Sequence, residues 1–325
     1  MAELRVGFIG VGGVAGVHLN NVRAAEGATI AAICDINEAT LNRRKEEYGV
    51  ERTYTDYRRM LESEELDAVY VCVPPFAHGE IEETVAAAGC PLFVEKPVEL
   101  HMEAAIRKYE AIRKAGIINA AGYCVRYMDT VDHLRGRLQG VAVELTLGYY
   151  MGGAPGGWWQ DVEKSGGQLV EQTTHILDLA RYLVGEVAAV GGGFARRVPL
   201  NETATVENAS LALLYFENGA VGSIASACML GQGYKTGLDL FAKNFIAEYT
   251  YGSLRYRTPN AEPEELRPTN NMYAEEDRVF LEAVRSGDGS AIRSDYGDAV
   301  RTLEVTLLAR EAHQRRTVLE TTFRP

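Results

Sequence analysis

The chain has 325 residues, 46% of them hydrophobic and 24% charged, enough for two packed domains at roughly 100–200 residues each. Its formal charge of −12 argues against nucleic acid or an anionic membrane surface as partner, because both reward a basic face; the acidity is read as an aid to solubility. Five scattered cysteines (Cys34, Cys72, Cys90, Cys124 and Cys228) include no CxxC pair, so neither a zinc site nor a disulfide framework is signalled, and a reducing compartment is expected. No stretch reaches about 18 apolar residues, and the opening MAELRVGFIG runs straight into a strand, the pattern of a cytoplasmic protein without a membrane span.

In chain order, short apolar runs at Leu4–Ile9, Ile30–Cys34, Ala68–Val73, Leu92–Val94 and Ile117–Ala121 alternate with helix-period segments. Those segments fall near Val14–Ala25, Glu38–Tyr48, His78–Ala88 and Met102–Lys114. Strand–helix–strand at this spacing predicts a parallel sheet covered by helices on both faces. After Gly122 the rhythm changes. A helix is expected at Arg126–Leu138, a strand at Val141–Tyr150, a Gly- and Trp-containing loop at 152–167 and a helix at Leu169–Leu183. Strand-like runs follow at Val187–Arg197, Ser210–Phe216, Ala220–Ala227, Leu238–Ala242, Phe245–Thr250 and Leu254–Arg257, joined by turns such as Glu217-Asn218-Gly219, which predicts a mostly antiparallel sheet. Helices near Tyr273–Ser286 and Tyr296–Arg315 close the chain. The expected organisation is α/β: a doubly wound parallel sheet over residues 1–122, then an α+β domain with a large, mostly antiparallel open sheet over 123–325.

The stretch VGFIGVGGVAG leaves the first strand and opens the first helix. Gly10, Gly12 and Ala15 fit GxGxxG/A, the Rossmann fingerprint: the first glycine for the tight turn, the second for close approach of a pyrophosphate, the small third residue for helix–strand packing. Gly13 and Val14 complete the turn, and the helix N-terminus offers unpaired N–H groups to phosphate. Asp35 ends the second strand about 20 residues further on, where a carboxylate accepts hydrogen bonds from the adenosine ribose; it could instead cap the helix that follows. An acid there repels a 2′-phosphate and favours NAD over NADP.

Three further segments carry polar groups. Val73, Pro74 and Pro75 stop the fourth strand at the carboxyl edge where open α/β sheets bind ligands, and His78 either caps the next helix or meets the cofactor. Glu95-Lys96-Pro97 follows the buried run Leu92-Phe93-Val94 and places a lysine at a strand end beside a proline. In SGGQLVEQTTHILDLARYLVG, Glu171, His175 and Asp178 fall at i, i+4 and i+7 on one face of a continuous helix, either as a structural pair or as site residues; no third ligand at useful spacing supports a metal.

Together these motifs resemble the glucose–fructose oxidoreductase/inositol dehydrogenase (Gfo/Idh/MocA) family of NAD(P)-dependent oxidoreductases, from the glycine loop to the closing SDYGDAVRTLEVTLLAREAHQRRTV. EKP is the most specific element. The resemblance implies a Rossmann fold, NAD as cofactor, a sugar or cyclic polyol as substrate, and a homo-oligomer formed through the C-terminal sheet. It implies that Lys96, often ahead of a cis proline, and His175 are catalytic, with Glu171 standing where the family usually has aspartate. Ile36, Glu95 and Arg126 join the glycine loop, Asp35, the Val73–Pro75 segment and His78 around the cofactor. Arg126, Trp158 and Tyr234 join the catalytic residues around the substrate. Trp158 and Trp159 either stack on a sugar ring or anchor the core. The same fold would also serve an NAD-dependent glycosidase or a non-catalytic cofactor-binding regulator.

Overall fold

Strands of the first sheet read as unbroken apolar runs because helices cover both faces. A computed structural model describes residues 3–325. In chain order the elements are β1 (Leu4–Ile9), α1 (Ala15–Ala24), β2 (Ala28–Cys34), α2 (Glu38–Tyr48), β3 (Thr53–Tyr54), α3 (Tyr57–Ser63), β4 (Ala68–Val71), α4 (Ile81–Ala87), β5 (Leu92–Val94), α5 (Met102–Ala115) and β6 (Asn119–Ala121). The strand order is β3-β2-β1-β4-β5-β6 with every pairing parallel, the doubly wound topology that the alternating periods predict. Neither β3 nor α3 carries a periodic signal, since two and seven residues are too few to show one.

In the second sheet burial alternates residue by residue along the central strands. Its elements are α6 (Asp129–Arg137), β7 (Val143–Met151), α7 (Val162–Ser165), α8 (Gln168–Glu171), α9 (Thr174–Val184), β8 (Val187–Ala195), β9 (Ala209–Phe216), β10 (Val221–Ala227), β11 (Lys235–Ala242), β12 (Phe245–Thr250), β13 (Ser253–Arg257) and β14 (Glu264–Leu266). Then come α10 (Met272–Ser286), α11 (Tyr296–Arg315) and β15 (Leu319–Glu320). Nine strands run β14-β13-β12-β11-β7-β10-β9-β8-β15, antiparallel except for β7 and β10.

Two compact units result: residues up to Cys124 with Asn271–Val300, and Val125–Asn270 with Arg301–Pro325. The first crossing lies two residues beyond the expected 122, but 271–300 packs with the first unit rather than the second. The reason is the apolar face of α10. Phe280 meets Tyr70 and Phe93 edge-on at 5.4 and 5.6 Å, closing a stack in which Phe8–Tyr70 and Tyr70–Phe93 lie at 4.9 and 4.7 Å. Such contacts add to what area burial alone supplies. A helix remote in sequence thereby completes the core behind the glycine loop.

Candidate active site

Gly10 has φ +80°, and a Cβ there would stand 2.8 Å from the Cys72 carbonyl oxygen, so only glycine fits this turn. Gly12 and Gly13 differ: an added Cβ would meet nothing within 4 Å, leaving their backbone open to a ligand. The N-terminus of α1 has Val14 at its N-cap position, no side-chain cap and no acid in its first turn. The Gly16 and Val17 N–H groups bond back to the Gly13 and Val14 carbonyls at 3.1 and 2.9 Å, and the positive dipole end faces the open turn, so this loop fits a dinucleotide pyrophosphate. Asp35 accepts the Val11 N–H at 2.9 Å with one carboxylate oxygen and the Asn37 N–H at 2.8 Å with the other. The cap of α2 is Asn37, which accepts from the Thr40 N–H, so Asp35 is not the capping residue. Ile36, beside it, is exposed. Arg44, which the motif does not flag, braces the loop by donating to the Val11 and Gly12 carbonyls at 3.0 and 2.9 Å.

Beyond β4, Val73 and Pro74 are half-buried and Pro75 opens a single 3₁₀ turn. His78 is buried, precedes α4 rather than starting it, and bonds through Nδ1 to Glu82; the N-cap position of α4 belongs to Glu80, so His78 is not the capping residue. Lys108 lies 3.0 Å from Glu82 and 2.7 Å from Glu99, extending the chain of buried charge between α4 and α5. Burial pushes the Glu82 carboxyl up, but His78 and Lys108 outweigh it and hold it below its ordinary value.

At the end of β5 the Lys96–Pro97 bond is cis and the Lys96 side chain is half-buried. Glu95 is turned inward: one oxygen accepts the Lys96 N–H at 2.9 Å, the other meets His18 Nε2 at 3.0 Å. Both oxygens of its carboxylate are thus committed to the interior. His18 Nδ1 meets Asp277 at 2.7 Å, and Asn21 donates to the second Asp277 oxygen. Burial would lower the His18 value, yet Asp277 and Glu95 outweigh it and raise it well above 6.5. A raised value means that the pair stabilises the fold fully below the ordinary 6.5 and that this contribution is lost as pH rises through the raised value. Urea denaturation of the wild type should therefore show an alkaline loss of stability that is absent from His18→Gln.

Within the second unit, the expected continuous helix over 169–183 is broken at Gln172 and Thr173, into α8 and α9. Glu171 ends α8 and accepts from Trp159 Nε1 at 2.6 Å, while His175 opens α9, so the two do not share a helical face. Gly166 and Gly167, with φ +73° and +83°, bend the chain into α8, and a Cβ on Gly167 would fall 2.5 Å from Glu207. Asp178 is buried and takes both ends of the Arg126 guanidinium, at 2.6 and 2.7 Å, while Thr302 donates to it at 2.9 Å. Arg126 also stacks on Tyr182 at 4.7 Å. Arg126 is thereby half of a buried bidentate ion pair. The two tryptophans divide: Trp159 sits in a small core with Val206 and Cys228, and Trp158 is 36% exposed. Tyr234 has an exposed ring and donates its N–H to the Met151 carbonyl. Among the described residues no group of three or more His, Cys, Asp or Glu side chains could hold a metal ion, and no helix is long and apolar enough to cross a membrane.

A strand, an open glycine turn and an uncapped helix at the head of a doubly wound sheet define a dinucleotide-binding protein of the Rossmann class. Comparison with known proteins narrows it. Residues 4–123 match the oxidoreductase family with an NAD-binding Rossmann fold, and 136–254 match the GFO/IDH/MocA C-terminal domain. The chain belongs to this family of NAD-binding oxidoreductases. It is 26% identical over 310 residues to myo-inositol 2-dehydrogenase of Thermotoga maritima, across 90% of this chain and 92% of that protein. With scyllo-inositol 2-dehydrogenase (NAD(+)) of Bacillus subtilis it shares 25% over 323 residues, across 94% and 93%. Levoglucosan dehydrogenase in complex with NADH has the same fold, with a TM-score of 0.90 at 19% identity over 98% of this chain and 99% of that one.

Proposed function

We propose that the protein is an NAD-dependent dehydrogenase that oxidises a secondary alcohol of a sugar, cyclic polyol or derivative. The observation that carries this reading is the half-buried Lys96 held at the end of β5 in the same unit as the open glycine loop. Bound NAD supplies the hydride acceptor, since no side chain can take a hydride. Lys96 and His175 are the groups proposed to receive the alcohol proton as the C–H bond gives up its electron pair; a positioned base of this kind is worth about 10²–10⁴-fold. Glu171, which accepts from the Trp159 indole, is proposed to accept a substrate hydroxyl as well. The exposed Trp158 ring is proposed to face the apolar side of a sugar, and Tyr234 to lie on the substrate side. Asp35 retains lone pairs for ribose hydroxyls beyond its two backbone bonds and disfavours NADP.

The test is NADH formation against a panel of sugars, sugar acids and inositols, for the wild type and Lys96→Ala. Turnover of one member that disappears in the variant supports the proposal. Release of an aglycone instead identifies a glycosidase, and tight NAD binding without turnover of any member points to a cofactor-binding regulator.

A homo-oligomer and a cytoplasmic setting belong to the same proposal. Leu145, Leu211, Leu213, Tyr215 and Val221 lie exposed on β7, β9 and β10, and the register Leu145↔Val221↔Tyr215 places three of them in a row on one face. An apolar face of this kind suits a second copy of the chain. Leu213→Arg is expected to lower the mass measured by light scattering to that of a monomer; an unchanged mass removes this face as the interface. All five cysteines are free and buried, and burial, then Asp35 and Asp56, push the Cys34 thiol up to about 12, which suits a reducing compartment.

A further inference from the structure

A histidine with no exposed surface sits in α1, the helix whose N-terminus opens at the glycine loop, on the same buried face as Ala15, Leu19 and Val22. Each ring nitrogen faces a carboxylate: Nδ1 to Asp277 at 2.7 Å, Nε2 to Glu95 at 3.0 Å. An ionised carboxylate only accepts, so a ring that meets two of them donates from both nitrogens. Its walls are the rings of Tyr70, Phe93 and Tyr273, at 5.5, 5.0 and 6.2 Å, which leave it one orientation. The other ionisable groups acting on the same cluster are Glu276 on α10, Cys72 at the end of β4, and Cys124. From Glu95 the chain of contacts continues to the backbone of the lysine: the second carboxylate oxygen accepts the Lys96 N–H at 2.9 Å. Space for that carboxylate exists because residue 122 is glycine; a Cβ there would stand 2.9 Å from Glu95.

We propose that His18 is a positioning residue: held between Asp277 and Glu95, it fixes the carboxylate that holds the Lys96 amide, and so ties the lysine to the helix that receives the cofactor phosphates. The proposal rests on the assignment of Lys96 as a proton-transfer group. Its physical content is that the buried, charge-assisted His18–Glu95 bond couples α1 to the Lys96 turn, and that the His18–Asp277 bond anchors the same ring to α10. A reacting group displaced by about 1 Å loses on the order of 10²-fold in rate, so a clamp of this stiffness matters to chemistry as well as to folding.

The experiment compares wild type, His18→Gln, Glu95→Gln and Asp277→Asn, each confirmed folded by circular dichroism. Two quantities are read: kcat on the best substrate of the panel, and the pH at which Lys96 of the NAD-free protein becomes half-reactive toward acetic anhydride, followed by mass spectrometry. In His18→Gln and Glu95→Gln, kcat is expected to fall about 10- to 100-fold and the Lys96 midpoint to move. In Asp277→Asn, which keeps the His18–Glu95 contact, both should change less. If His18→Gln melts earlier but keeps kcat and the Lys96 midpoint, His18 is a core residue only and the proposal is overturned. Should His18→Gln fail to fold, Glu95→Gln decides by the same two readouts. If Lys96→Ala retains full turnover, the catalytic assignment fails, yet the Lys96 midpoint still judges the clamp.

Discussion

Lys96→Ala is expected to lower kcat by about 10²–10⁴-fold while NAD affinity stays within a few-fold, the loss typical of removing a positioned acid–base group. The separation of the two effects follows from where the lysine sits. The residues that fit the dinucleotide are backbone groups of the glycine loop and the Asp35 carboxylate, which accepts the Val11 and Asn37 N–H groups. The Lys96 N–H, which does bond to Glu95, is a main-chain group and survives the substitution. Truncation therefore removes the amine and leaves its scaffold. Calorimetry with NAD and steady-state kinetics on the same preparation check both halves; full turnover in the variant would remove Lys96 from the chemistry.

The second large effect is one of stability. Arg126→Ala should destabilise the protein by about 3 kcal/mol, because the buried Asp178 carboxylate loses its bidentate partner and keeps Thr302 at 2.9 Å and the Arg181 guanidinium at 3.8 Å. Both partners are almost fully buried, at 3% and 1% side-chain exposure, and the guanidinium makes two bonds to the carboxylate, so little solvent exists to compensate. Loss of the stacking on Tyr182 adds to the cost. Replacing both members with apolar residues, as in Arg126→Met with Asp178→Leu, should recover much of the loss, since a buried pair is worth little against well-packed hydrophobic side chains. Urea denaturation of the three proteins measures this. A variant of normal stability with a raised KM for NAD would return Arg126 to the cofactor contact that the family resemblance suggests.

Local chemistry was legible without coordinates wherever the backbone itself restricts the residue. Gly10 sits at positive φ against the Cys72 carbonyl, and Pro97 lies in a cis bond after Lys96; both requirements show in the residue type alone. The doubly wound sheet was likewise readable, because strands buried on both faces must be continuously apolar. Helical periodicity failed where the backbone departs from one helix: Leu169–Leu183 looks continuous, yet Gln172 and Thr173 break it and send Glu171 to Trp159.

Partners far apart in the chain were settled only by the tertiary structure. Arg126 meets Asp178 across 52 residues, His18 meets Glu95 across 77, and His18 meets Asp277 across 259. No periodicity or spacing rule relates such positions, so the sequence does not show which charges are buried against one another. The same holds for α10, whose apolar face suits either sheet until the stack of Phe8, Tyr70 and Phe93 claims Phe280. Which residues this chain needs is written in backbone constraints and apolar rhythm; which of its charges face inward depends on packing between segments that only folding brings together.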